Sequence, residues 1–112
     1  MIRVFVFPVL GNGSVLFTRE AANRYTLPNL PYSPEVNLTD IAYVALDNHR
    51  IRGEIRTDIE PFNNGVGHFL VATIESYDQN RATPLTPAEI VKYSGKEIPE
   101  PTVSAMRQMR LL

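Results

Sequence analysis

The sequence has no cysteine and no tryptophan, and its 112 residues carry 11 Lys and Arg against 12 Asp and Glu, for a formal charge of −1. Without cysteine there is no disulfide framework, no thiolate metal site and no cysteine nucleophile. The chain also lacks the basic excess or basic cluster that nucleic acid and anionic membranes attract, so neither is expected as a partner. Its apolar runs are far shorter than the roughly 20 residues that span a bilayer. Met1-Ile2-Arg3-Val4 leads directly into an alternating pattern with no small-residue cleavage site after it. That predicts no secretory signal and a cytoplasmic location. No period of about 20 to 50 residues recurs, which excludes a solenoid.

What is present is 44% hydrophobic residues, enough for one core. A chain of this size buries roughly two-thirds of the surface that its unfolded form exposes, so a single domain over 1–112 is expected. Most of the nine prolines lie between Pro28 and Pro34 or between Pro84 and Pro101. Proline fixes φ and removes a ladder donor, so these stretches read as ordered loops.

Ile2 to Leu10, the turn Gly11-Asn12-Gly13-Ser14 and Val15 to Thr18 read as a β-hairpin. Pro8 predicts an edge position or a bulge. Arg19 to Asn23 reads as a connection, Tyr25-Thr26-Leu27 as a short extended piece, and Asn29 to Val36 as irregular backbone. Asn37 or Thr39 caps a helix with Asp40 in its first turn. Leu38, Ile41, Ala42, Ala45, Leu46 and His49 follow at spacings of three and four, and Gly53 lies just beyond as a stop signal.

Ile51, Ile55 and Ile59 alternate with Arg52, Glu54, Arg56 and Asp58, which describes a half-exposed strand. Asn63-Asn64-Gly65 marks a turn, and His68 to Ile74 reads as the central, doubly covered strand. Ala88 to Tyr93 reads as a late strand. Pro101 or Thr102 opens a final helix through Met106 and Met109. The fold class is therefore α+β, with a mixed sheet, a central helix and a C-terminal helix.

This order of elements resembles the Nudix hydrolase family. Val15-Leu16-Phe17-Thr18-Arg19 is similar to the family's strand ending in arginine, and Tyr25-Thr26-Leu27-Pro28 to the aromatic-x-hydrophobic-Pro before the paired glycines of the Nudix box. Laid on the box without gaps, Ala42 takes a usual small helix position and Leu46 the apolar position after the Arg-Glu pair. The strand Phe69 to Ile74, a strand Glu89 to Tyr93 and the helix from Thr102 match the remaining topology. The resemblance implies an α/β/α sandwich over nearly the whole chain.

In the family, glutamates on one helix face hold divalent metal ions against a diphosphate so that water displaces a phosphoryl group. In the ungapped alignment Asn29 and Leu30 stand in place of the paired glycines and Val44 and Ala45 in place of Arg-Glu. Asn48 and His49 replace the two metal-binding glutamates. The expectation is a non-catalytic Nudix-like protein, a binding or assembly module with a vestigial cleft for a small phosphorylated ligand and no cofactor. The alternative is a divergent hydrolase of nucleoside diphosphate derivatives using magnesium or manganese.

Arg19 and Arg24 flank a loop that faces the ligand cleft in the resemblance, and guanidinium groups suit phosphate. The plainer reading is that both are solvated loop charges. A gapped alignment brings Glu35 onto the first box glutamate. His68 beside Phe69 is a candidate for lining a pocket that stacks a base. For the metal alternative the candidates are Glu35, Asp40, Asp47 and Glu54, with the wet face of an amphipathic helix as the plainer reading of the aspartates. A helix C-terminus favours a histidine cation, which gives His49 a structural reason. Two histidines without a nearby acid motif make no general-base site. Gly65-Val66-Gly67 precedes a strand, so it is no dinucleotide fingerprint. The charges of Arg52, Glu54, Arg56 and Asp58 form either a solvated face or a self-complementary homodimer contact.

Overall fold

The structure, a computed structural model, describes residues 2–112. Strand β1 (Arg3–Val9) alternates its side chains, with Val4 and Val6 buried on one face and Phe7 on the other. It turns into β2 (Val15–Ala21) through Gly13 at φ 86°, where the Asn12 side chain accepts the Ser14 N–H at 3.0 Å. Strand β2 extends past Thr18, so Arg19 to Ala21 is strand and not connection. Pairing with β3 (Arg24–Thr26) holds it extended. Part of the stretch expected to be irregular forms β4 (Asn29–Pro31), which adds antiparallel to the first half of β1.

Helix α1 (Leu38–Asn48) begins as its sequence dictates. The Asn37 side chain accepts the Thr39 N–H, Asp40 sits in the first turn, and Ile41, Ala42, Ala45 and Leu46 are buried. It ends differently from expectation. Arg50 takes the left-handed conformation at φ 54°, and Gly53 lies within the next strand, β5 (Ile51–Ile55). Gly53 is needed there because a Cβ would meet the Thr73 carbonyl and approach Ile74 Cα to 2.9 Å. Ile59 falls outside β5 and is only half-buried.

After the short β6 (Phe62–Asn63) comes β7 (Gly67–Tyr77), which runs parallel to β1 from Arg3↔Gly67 to Val9↔Thr73. Strand β8 (Thr83–Leu85) lies against β2, and the sheet order is β3-β2-β1-β7-β5. Pro8 is thus in a central strand and not at an edge. Its missing N–H faces the flank where β1 changes partner, since Val6 N–H reaches Pro28 and Leu10 N–H reaches Ser14 on that same side.

The segment read as a late strand is a helix, α2 (Pro87–Tyr93). Thr86 Oγ1 accepts the Glu89 N–H at 3.2 Å, Glu89 Oε1 accepts the Thr86 N–H at 2.9 Å, and Pro87 occupies the first turn. This reciprocal cap stabilises by about 1 kcal/mol, and it decides a segment in which only Ile90 is buried. Helix α3 (Glu100–Gln108) starts just before the expected Pro101.

Two cores result. Val4, Val6, Leu16, Leu70 and Ala72 pack against α1. On the other face Phe7, Phe17 and Phe69 pack with Ile90 of α2 and Val103 and Met106 of α3. The architecture is the expected α/β/α sandwich of the α+β class. No helix among the described residues is long and apolar enough to cross a membrane.

Candidate functional site

Strand β1 pairs with β2 only at Val9↔Val15, because its first half pairs with β4 instead. The sheet is therefore open between the β2–β3 leaf and the β1–β7 centre. A cleft of about 820 Å³ lies there, with Arg3, Arg19, Arg24, Asn29 and His49 in its wall and Glu20 the one carboxylate. Phe5, Val66 and Phe69, with Pro99 and Pro101 at the start of α3, supply apolar lining.

Two of the three arginines, Arg3 and Arg19, are held by neutral groups. Arg3 Nε donates to Asn29 Oδ1 at 2.6 Å, and Asn29 Nδ2 donates to the Leu27 carbonyl at 2.7 Å, which orients the half-buried guanidinium. Arg19 Nη2 donates to the Tyr25 hydroxyl at 3.1 Å, and its guanidinium lies 5.0 Å from the centre of the Tyr25 ring. Arg24 faces Glu20 at 3.9 Å in an exposed pair, which neutralises little. Positioned guanidinium groups without a bound carboxylate are suited to phosphate oxygens.

Arg19 and Arg24 therefore lie in one cleft, whereas the other two candidate ligand residues lie elsewhere. Glu35 is exposed in the loop before α1. His68 alternates with Phe69 and turns to the opposite face, its ring 4.7 Å from Tyr32. Of the metal candidates, Asp47 and Glu54 share a depression between α1 and β5, while Asp40 and Glu35 do not line it. Among the described residues no three His, Asp or Glu side chains are grouped closely enough to hold a metal ion.

Arg3, Asn29 and His49 did not stand out as cleft residues in the sequence. Arg3 carried a usable signal, since it shares strand parity with Phe5 and Phe7; Asn29 carried none.

The environment of His49 opposes the cation that a helix end favours. Burial first, and the nearby Arg81 second, push its pKa below the ordinary 6.5. The unfolded chain then binds the proton more readily than the folded one. Stability is accordingly expected to fall as pH drops below 6.5 towards the lower folded value. Denaturant midpoints measured across this range, compared with His49→Gln, check this; equal pH slopes would refute it.

No family model matches this sequence, and no curated protein matches it. Solved structures do. The chain is similar to a Nudix hydrolase from Nitrosomonas europaea with TM-score 0.64 and 14% identity, over 98% of this chain and 88% of that one. A second Nudix hydrolase structure from Nitrosomonas europaea gives 0.60 and 18%, over 80% of this chain and 58% of that one. The fold is Nudix-like.

A MutT structure, from work on the Aliivibrio salmonicida and Vibrio cholerae proteins, gives 0.60 and 10% over 96% and 94%. At such identities the Nudix-like relationship is one of architecture, and fold alone does not assign chemistry. His49, the C-cap residue of α1, lines the cleft.

Proposed function

We propose that this Nudix-like chain is a non-catalytic binding module that takes a small phosphorylated ligand in the cleft without a metal. The observation that carries the reading is the convergence of Arg3, Arg19 and Arg24 on a cleft whose single carboxylate is Glu20. The ungapped comparison with the Nudix box supports it. Val44, Ala45, Asn48 and His49 occupy the positions of the Arg-Glu pair and of the metal-binding glutamates, and none of them supplies a carboxylate.

Calorimetric titration with phosphate, pyrophosphate, sugar phosphates and nucleoside phosphates, in the presence of a chelator, tests the proposal. At least one is expected to bind. Arg19→Ala should weaken it about tenfold or more, through loss of a hydrogen bond between charged groups. Affinity that is unchanged in Arg19→Ala and Arg24→Ala would overturn the assignment.

The fold itself favours a second reading, a divergent metal-dependent hydrolase of nucleoside diphosphate derivatives. Phosphate release with magnesium or manganese that disappears in Glu35→Gln or Asp40→Asn would establish it in place of the first.

A further inference from the structure

Strand β5 ends the sheet order, and among the described residues no strand pairs with its outer side, where the Tyr43 hydroxyl takes only the Ile55 N–H. The direction of its backbone groups follows from two contacts. Arg56 N–H reaches inward to the Val71 carbonyl at 2.7 Å, while Ile55 N–H points outward to the Tyr43 hydroxyl at 3.1 Å. Alternation therefore turns the N–H and C=O of Gly53 outward as well, next to the point between Arg52 and Gly53 where the β5–β7 register shifts. An open edge of this kind is a template for another strand.

The charges beside that edge specify which strand. Arg52 and Glu54 flank Gly53 and are both exposed. Among the described residues the ion pairs are Arg24–Glu20, Arg56–Asp58 and Arg81–Asp78, so neither Arg52 nor Glu54 is engaged. An antiparallel copy of β5 placed on a two-fold axis through Gly53 sets Arg52 opposite Glu54 of the second copy, and Glu54 opposite its Arg52. With Gly53 forming the backbone-bonded pair, these fall at the positions where facing side chains come closest. Arg50 comes opposite Arg56, whose charge is already met by Asp58 through two hydrogen bonds.

Apolar surface lies alongside. Tyr43 and Val44 of α1 are 40% and 52% exposed, and with Ile51 and Gly53 they line the depression of about 520 Å³ between α1 and β5. A two-fold through the edge brings the two depressions side by side.

We infer that the β5 edge, with Arg52 and Glu54, is a self-complementary surface that pairs with a second copy of this chain. The surface is separate from the cleft and stands or falls independently of any ligand.

Light scattering across a dilution series tests it, with circular dichroism as the control for folding. Wild type is expected to form a concentration-dependent dimer. Arg52→Glu and Glu54→Arg should each weaken dimerisation about tenfold or more, because two facing pairs change from opposite to like charge. The double variant Arg52→Glu/Glu54→Arg should restore it. A wild type that stays monomeric throughout, single reversals that leave the dimer intact, or a folded double variant that does not regain it would each overturn the inference.

Discussion

Replacing Phe69 by alanine is expected to remove about 3–5 kcal/mol of folding stability. Phe69 is 1% exposed near the start of β7, with its ring stacked on Phe5 at a centroid distance of 4.9 Å and on Phe7 at 5.5 Å. Its neighbours Phe5 and Phe7 belong to β1, and the two strands pair in parallel over their full common length. The surrounding backbone is therefore held by ladder hydrogen bonds and collapses little around the cavity, which places the cost high in the range for Phe→Ala. A domain of this size has about 5–15 kcal/mol in total, so the variant sits near the unfolding threshold. Phe69→Leu keeps most of the volume and is expected to cost about 1.5 kcal/mol or less. Urea midpoints for the two variants measure the difference. Equal midpoints would show that the three stacked rings do not anchor the sheet.

The second large effect is expected from one added methyl group. A Cβ at Gly67 would lie 2.5 Å from the Arg3 carbonyl oxygen and 2.6 Å from Cε2 of Phe5. The carbonyl belongs to the parallel β1–β7 pair and cannot rotate away, and the ring is held on its other side by Phe69. Gly67→Ala should cost about 1–3 kcal/mol through overpacking. Arg3 and Phe5 both line the cleft, so the same variant should also weaken any ligand held there. Gly11→Ala is the control. Nothing lies within 4 Å of its added Cβ and its φ is not positive, so the change should be neutral or stabilising by up to about 1 kcal/mol. Thermal unfolding together with titration of both variants separates the steric effect from a general intolerance of substitution.

Where local chemistry is self-contained, sequence and structure agree. The cap Asn37 and the three-and-four spacing from Leu38 to Leu46 specify α1 without reference to the rest of the chain. The glycine turn specifies the β1–β2 hairpin in the same way. The misread segments fail for identifiable reasons. In Ala88 to Tyr93 a short apolar run hides a helix whose signature, Thr86-Pro87-Ala88-Glu89, starts two residues before the run and overlaps its first two residues. Gly53 has the form of a helix stop, but its role is close approach to the Thr73 carbonyl in a strand more than a helix length away. Arg19 to Ala21 is polar on its own terms and extended only because Tyr25 comes back to pair with Arg19.

The site divides along the same line. Residue types and periodicity by themselves determined a cysteine-free α+β chain with a capped central helix, while the α/β/α arrangement and the marking of Arg19 and Arg24 as ligand residues came from the family resemblance. Only the tertiary structure decided that β1 leaves β2 for β4 and so opens the sheet. It also decided that Arg3 joins the two other arginines in the opening, that His68 faces away from it, and that β5 is left with an unpaired edge. Each of these depends on pairing between strands distant in sequence. Periodicity says which face of a strand is buried but carries no information about which strand lies beside it.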